Sequence, residues 1–206
     1  MKTLLQINSS LFSTGGQSSL LSDSFIAAWQ AAHPGAVVKT RNLATDVVPH
    51  LTAERFQAFL AKPEARTPEQ QDVVAYSDAL IDELKSADVI VLGLPMYNFG
   101  IPSQLKAYFD HVARAGVTFK YTEKGPVGLL TGKQAYVFAT RGGLYAGTPA
   151  DTQTQYVRDF LKFVGIGDVE FVYAEGLAIS EDRKQAGLGQ ARNHIQRLTT
   201  QLQAAA

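Results

Sequence analysis

The sequence predicts an α/β protein organised around a parallel sheet. Short apolar or β-branched runs recur along the 206 residues, segments of helical periodicity separate them, and glycine-, serine- or proline-rich loops punctuate the alternation. Parallel neighbours in a sheet need crossover connections, and the intervening helices supply them.

Thr3 to Asn8 (TLLQIN) reads as the first strand, running into a Ser/Gly-rich stretch, Ser9 to Ser19, and then a helix over Leu20 to His33. After Pro34-Gly35, the β-branched run Ala36 to Asn42 is the second strand, and Thr52 to Ala61 is the next periodic block. Thr67 is placed to cap a helix with Pro68 at its first position, continuing to Ser86. Asp88 to Leu94 is a third strand apolar enough to be buried on both faces. Ile101 to Ala115 is helical, and Lys133 to Ala139 is the fourth strand. Pro149 to Val164 is a helix, Val169 to Ala174 the fifth strand, and Ser180 to Leu202 the last helix. Five such strands suit a flavodoxin-like three-layer sandwich with sheet order 2-1-3-4-5, over a single domain of residues 1–206. Ligands of that topology lie outside the carboxyl ends of the strands, at the switch point between strands 1 and 3.

Composition narrows the function. Apolar residues make up 46% of the chain, enough for a sizeable core, while 19 basic residues balance 19 acidic ones. No strong field draws in nucleic acid or a charged surface, so small molecules or protein subunits are the expected partners. The absence of cysteine removes disulfides, thiolate nucleophiles and cysteine-rich metal sites. Neither a signal-peptide core nor an apolar stretch of membrane-spanning length stands out, which predicts a cytoplasmic protein with no membrane partner.

Three loops fall at the predicted switch-point edge. The first, Ser9 to Ser18, offers hydroxyls and backbone amides leading into a helix N-terminus, a combination that holds phosphate; it matches neither GxxxxGK[ST] nor GxGxxG. The second, Pro95-Met96-Tyr97-Asn98-Phe99, sets flat rings at the end of the third strand. The third, Thr140-Arg141-Gly142-Gly143-Leu144-Tyr145, has two glycines that let backbone approach a ligand. Each alone also reads as a solvated turn or as core packing. Converging on one edge, they describe a flavin mononucleotide (FMN) site.

These loops, with Gln104-Leu105-Lys106, Phe109-Asp110, the run from Ala113 to Phe119, Phe163-Val164-Gly165-Ile166 and Ala174-Glu175-Gly176, resemble the FMN-dependent NADH-azoreductase family. That family is related to the NAD(P)H quinone reductases. The resemblance spans most of the chain, and RAGVTFKY beside PMYNF is a specific combination. It implies FMN as cofactor, NADH or NADPH as electron donor, and quinones, azo compounds or other aromatic acceptors as substrates. It also implies a homodimer whose interface completes the pocket. By this similarity Ser10, Gly16, Gln17 and Ser18 hold the ribityl phosphate; Pro95, Met96, Tyr97, Asn98 and Phe99 border the isoalloxazine; and Thr140, Arg141, Gly142, Gly143 and Tyr145 lie on its other side. Phe119, Tyr121 and Phe163 would line the substrate pocket, for which core packing is the alternative. Three departures stand out: Gly16 and Thr140 replace the family's usual serines, and Tyr145 lies where some relatives have histidine.

No acid, base or nucleophile is assigned a catalytic role. His33, His50 and His194 are read as surface or capping residues and His111 as structural. This suits chemistry in which the cofactor carries the electrons, with hydride passing through flavin N5 in a ping-pong order and two cycles cleaving an azo bond. A flavodoxin-like electron carrier is the alternative; such carriers are shorter and strongly acidic, whereas this chain is neutral and has long insertions at residues 43–66 and 116–132. A phosphoryl-receiver domain is disfavoured because aspartates are missing where strands 1 and 3 end.

Overall fold

A computed structural model describes residues 1–204. The chain runs β1 (Thr3–Asn8), α1 (Gln17–Ala32), β2 (Val37–Asn42), α2 (Ala53–Leu60), α3 (Pro68–Ser86), β3 (Val89–Pro95), α4 (Ser103–Val112), β4 (Phe119–Thr122), β5 (Gly125–Gly128), β6 (Gln134–Thr140), α5 (Thr154–Val164), β7 (Asp168–Ala174) and α6 (Glu181–Ala204). Five strands form a parallel sheet in the order β2-β1-β3-β6-β7. This is the predicted order; only the numbering shifts, because β4 and β5 pair with each other outside the main sheet.

β3 lies between two strands and all seven of its residues are buried, which explains its unbroken apolar run. Its alternate residues serve opposite cores. Val89 and Val91 pack with Phe25 and Trp29 of α1 and Leu188 and Ile195 of α6. Ile90 and Leu92 pack with Leu80 and Ile81 of α3, Leu105 and Phe109 of α4, and Leu161 of α5. The same ladders align the strand ends, pairing Asn8 with Gly93 and Pro95 with Thr140. The three loops therefore leave the sheet at one edge.

Helix boundaries show which signals were local. Thr67 caps α3 by accepting from Gln70 N (3.3 Å) while the Gln70 side chain accepts from Thr67 N (3.1 Å), a complete capping box. By contrast α1 starts at Gln17, three residues before its predicted start, with Ser18, Ser19 and Ser22 buried in the helix and the Ser22 hydroxyl donating to Ser18 O at 2.7 Å. Serines that bond their own backbone resemble a loop in sequence. The predicted Ile101–Ala115 helix closes at Val112. There the Thr118 hydroxyl donates to Val112 O (2.6 Å) and accepts from Arg114 N (2.9 Å), folding the chain into a turn.

The insertion at 116–132 contains an antiparallel hairpin, pairing Phe119 with Gly128 and Thr122 with Gly125. It is seated backbone to backbone on the end of α5: a Cβ added to Gly128 would lie 2.0 Å from Gly165 N, and Leu130 N donates to Val164 O at 2.8 Å. Among the described residues no helix is long and apolar enough to cross a membrane.

Candidate active site

The first loop is tied down at both ends. The Ser9 hydroxyl donates to Gly93 O (2.6 Å), and Asn42 donates to the Ser13 hydroxyl (2.5 Å) while Ser19 donates to Ser13 O (2.7 Å). Gly16 is the N-cap of α1 and supplies no side-chain hydrogen bond, and the first turn carries no acidic residue. The opening N–H groups of α1 are thus uncapped, an arrangement that attracts anions. A Cβ on Gly16 would lie 2.1 Å from Ser10 Oγ, so the Ser10 hydroxyl fills the space a side chain at 16 would need. Beneath them, Ser18 Oγ is buried and without a partner, as is Asn8 Oδ1; both lie beside Gly93. An orphaned hydroxyl at the foot of an uncapped helix fits a phosphate oxygen as its missing acceptor.

The second loop stores strain. Tyr97 and Gly100 exchange backbone hydrogen bonds (3.2 and 3.0 Å), and the residues between them, Asn98 and Phe99, have φ of 49° and 61°. Left-handed backbone at both central positions is a type I′ turn, normally built with Asn-Gly. Phenylalanine at the second position costs about 1–2 kcal/mol that glycine would not. Neighbours hold it there. The Thr152 hydroxyl donates to Phe99 O, and the buried Gln153 amide donates to both Pro95 O (3.0 Å) and Gly100 O (2.9 Å). Tyr145 packs edge-on against the Phe99 ring at 5.6 Å. The Tyr97 hydroxyl reaches the first loop, accepting from Leu11 N at 3.2 Å and lying 3.4 Å from Ser10 Oγ. Held this way, Phe99 leaves 57% of its surface exposed.

The third loop hangs on a buried cation. Arg141 donates to Asp151 (2.7 Å), Glu175 (3.2 Å) and the Thr154 hydroxyl (3.0 Å), and its guanidinium lies over Tyr173. Burial works against the Asp151 charge, but hydrogen bonds from Arg141 and Thr154 outweigh it and hold this carboxyl below the usual carboxylate range. Glu175 then accepts from Tyr145 N (2.8 Å) and Ala146 N (2.9 Å). The carbonyls of Gly142 and Gly143 accept from Ala178 N and Gly176 N, while their own N–H groups meet no acceptor among the described residues. A Cβ on Gly143 would lie 2.7 Å from the Tyr145 ring, which folds over that backbone.

The structure thus brings Ser10, Gly16, Gln17 and Ser18, the Pro95–Phe99 loop, and Thr140, Gly142, Gly143 and Tyr145 to one edge. Arg141 stands with them but spends its side chain inside the protein, fully buried in ion pairs. Phe119, Tyr121 and Phe163 lie elsewhere in the chain. Phe119 and Phe163 pack with tilted rings, centroids 4.2 Å apart, near the carboxyl end of α5, and Tyr121 is 74% exposed on the hairpin. The 11 residues of α5 span about 16 Å between that ring pair and the loops. His111 is also remote from the loops, buried between Phe59 and Tyr76 with Nε2 bonded to Pro49 O (3.0 Å) and its pKa lowered chiefly by burial.

Asp151, Thr152, Gln153 and Glu175 had no assigned role in the sequence reading, although Glu175 fell within the family resemblance. One local signal was present: Asp151 accepts from Thr154 N (3.0 Å), a helix-start pattern inside the stretch read as continuous helix from Pro149. Beside the Phe99 turn lies an apolar pocket of about 480 Å³ lined by His50, Phe99, Ile101, Ser103, Lys106, Thr152 and Tyr156.

Comparison with known proteins identifies the fold and the family. The family model described as the flavodoxin-like fold matches residues 1–198. An FMN-dependent NADH:quinone oxidoreductase of Cellvibrio japonicus is 56% identical over 95% of this chain and 98% of its own. One from Burkholderia pseudomallei is 55% identical over 95% and 98%. Among solved structures, an azoreductase from Bacillus anthracis superposes with a TM-score of 0.89 at 28% identity, covering 98% of this chain and 100% of that one. An FMN-dependent NADH-azoreductase of the same species, in complex with FMN, gives 0.84 at 29% identity over 97% and 100%.

Proposed function

The chain belongs to the flavodoxin-like family of the FMN-dependent NADH:quinone oxidoreductases, and from that premise we propose that residues 1–206 form one FMN-binding domain that reduces quinones and azo compounds with NADH. The observation that carries this reading is the meeting, at one sheet edge, of an uncapped α1 N-terminus, a strained turn presenting Phe99, and two free N–H groups at Gly142 and Gly143. FMN held there by the α1 amides and the second and third loops would supply two-electron hydride chemistry through N5, which we read as a ping-pong exchange between NADH and the acceptor with two cycles for each azo bond cleaved.

The protein's own part is position and electrostatics. The α1 amides with Ser10, Gln17 and Ser18 receive the phosphate. Met96 to Phe99 border the ring system, and Thr140 closes the opposite side. The Gly142 and Gly143 N–H groups supply fixed donors where negative charge develops on reduction. Phe119, Tyr121 and Phe163, lying about 16 Å along α5 from their own chain's loops, line an acceptor pocket only when a second copy presents them. The pocket role of these three residues comes from the family resemblance, and with it the separation supports reading a homodimer with shared sites, for which the exposed Tyr121, Val127 and Leu129 on and beside the hairpin and Phe56 and Leu60 on α2 are apolar surface.

The experiment is a spectrum followed by kinetics. Purified protein mixed with FMN should bind it stoichiometrically, be bleached by NADH, and regain colour with a quinone. Initial-rate lines at several NADH concentrations should run parallel. Intersecting lines remove the ping-pong order, and protein that takes up no FMN overturns the proposal.

A further inference from the structure

The segment just before α5 touches both walls of the slot. Asp151 pairs with Arg141, whose other partner Glu175 holds the Tyr145 and Ala146 amides of the third loop. The next residue, Thr152, donates to Phe99 O, and the next, Gln153, donates to Pro95 O and Gly100 O, the two ends of the second loop. Gln153 is fully buried, and its Oε1 has no partner among the described residues, so its amide is held in the site by what the nitrogen donates. Three consecutive side chains thus connect two loops that are 45 residues apart in sequence when counted from Pro95 to Thr140.

We infer that residues 151–153 are positioning residues: Thr152 and Gln153 hold the Asn98–Phe99 turn in its left-handed form, and Asp151 fixes the opposite wall at a matching distance. The turn is disfavoured by its own Phe99, so it persists only where the surroundings over-determine it. The hydroxyl and amide from 152 and 153 are those surroundings. The consequence for FMN rests on the functional reading above; the bracing of the turn does not.

The test compares wild type with Thr152→Val, Thr152→Ser and Gln153→Leu. Thr152 is exposed, so its valine variant folds even if the buried leucine variant does not. In the FMN-free chain, hydrogen exchange at Tyr97 and Gly100, the amides that close the turn, should rise in the valine and leucine variants and stay low in the serine variant. Exchange in β3 should be unchanged. Titration with FMN should show a dissociation constant raised roughly tenfold by Gln153→Leu, which removes a buried hydrogen-bond donor, and by less in Thr152→Val at its exposed position, with the serine variant restoring the wild-type value. The quinone KM should rise more than kcat falls. Unchanged exchange at Tyr97 and Gly100, or a serine variant as impaired as the valine one, overturns the inference. Wild-type protein that binds no FMN overturns the functional reading instead, and the exchange measurement on the free chain still decides the brace.

Discussion

The two ends of the parallel sheet each carry a hollow, and the larger is at the end away from the proposed site. At the amino ends, a concavity of about 540 Å³ is lined by Lys2, Asp88, Lys133, Gln134 and Asp168. Its polar groups have work within the fold: Lys133 donates to Lys85 O (2.8 Å) and Ala87 O (2.5 Å) at the end of α3, and Asp88 accepts from Thr3 N (2.8 Å). At the carboxyl ends the hollow is smaller, yet the backbone there is strained at Asn98 and Phe99 and donors are left over at α1, Gly142 and Gly143. Volume reflects how the layers fail to meet. Unspent donors and stored strain are what a bound ligand would complete, and they favour the carboxyl end for the proposed site.

The strongest way to break this contrast is Arg141→Met. It strands Asp151 and Glu175 as uncompensated charges, so denaturant unfolding should show a loss of about 3–5 kcal/mol and retained protein should bind FMN poorly. The same pair gives an acid limb. The folded Asp151 pKa lies below its unfolded value, so its contribution to stability is present above about pH 4 and disappears as the pH falls through the depressed value. Asp151→Asn should flatten stability against pH in that acid range, measured by melting temperature. Gly16→Ser comes next. Its Cβ must displace the Ser10 hydroxyl, at about 1–3 kcal/mol of overpacking, and phosphate-dependent FMN affinity should fall with it.

Smaller effects sharpen the comparison. Lys133→Met, at the amino end, should cost about 1 kcal/mol through two lost carbonyl contacts while FMN affinity and turnover stay at wild-type levels. A change in FMN affinity there would mean the two ends are not independent. Phe99→Gly should leave the melting temperature equal to or above wild type, because relief of about 1–2 kcal/mol of left-handed strain offsets glycine's extra chain entropy, while the acceptor KM rises. A sharp fall in stability would show that the Phe99 ring, rather than its backbone, is what the fold needs.

What was legible in the sequence was what is local. Thr67, Pro68 and Gln70 announced the start of α3, and the run from Val89 to Leu92 announced a strand covered on both faces. The three loops were found because strand ends and the switch-point rule are topological, and because the ring-rich second loop is a specific motif. The braces were not found, since Gln153 bonds carbonyls 58 and 53 residues away and nothing in its neighbours' periodicity records that. Arg141 was set beside the ligand by the family resemblance, and the burial of its side chain was not legible because its partners Asp151 and Glu175 lie 10 and 34 residues along the chain. The hairpin was hidden by composition, because GPVG is glycine and proline where strand signals need branched or aromatic side chains.

The seam between Gly128 and Gly165 has a consequence for how such a protein changes over generations. The hairpin rests on the rest of the fold there through main chain alone, two glycines in contact, so this hold is indifferent to the outward side chains at Tyr121, Pro126 and Val127. Changes at those positions leave the sheet, its loops and their strained turn in place, and act on the surface the hairpin presents. A lineage can therefore alter what its hairpin presents to a neighbouring surface without re-solving the problem of folding.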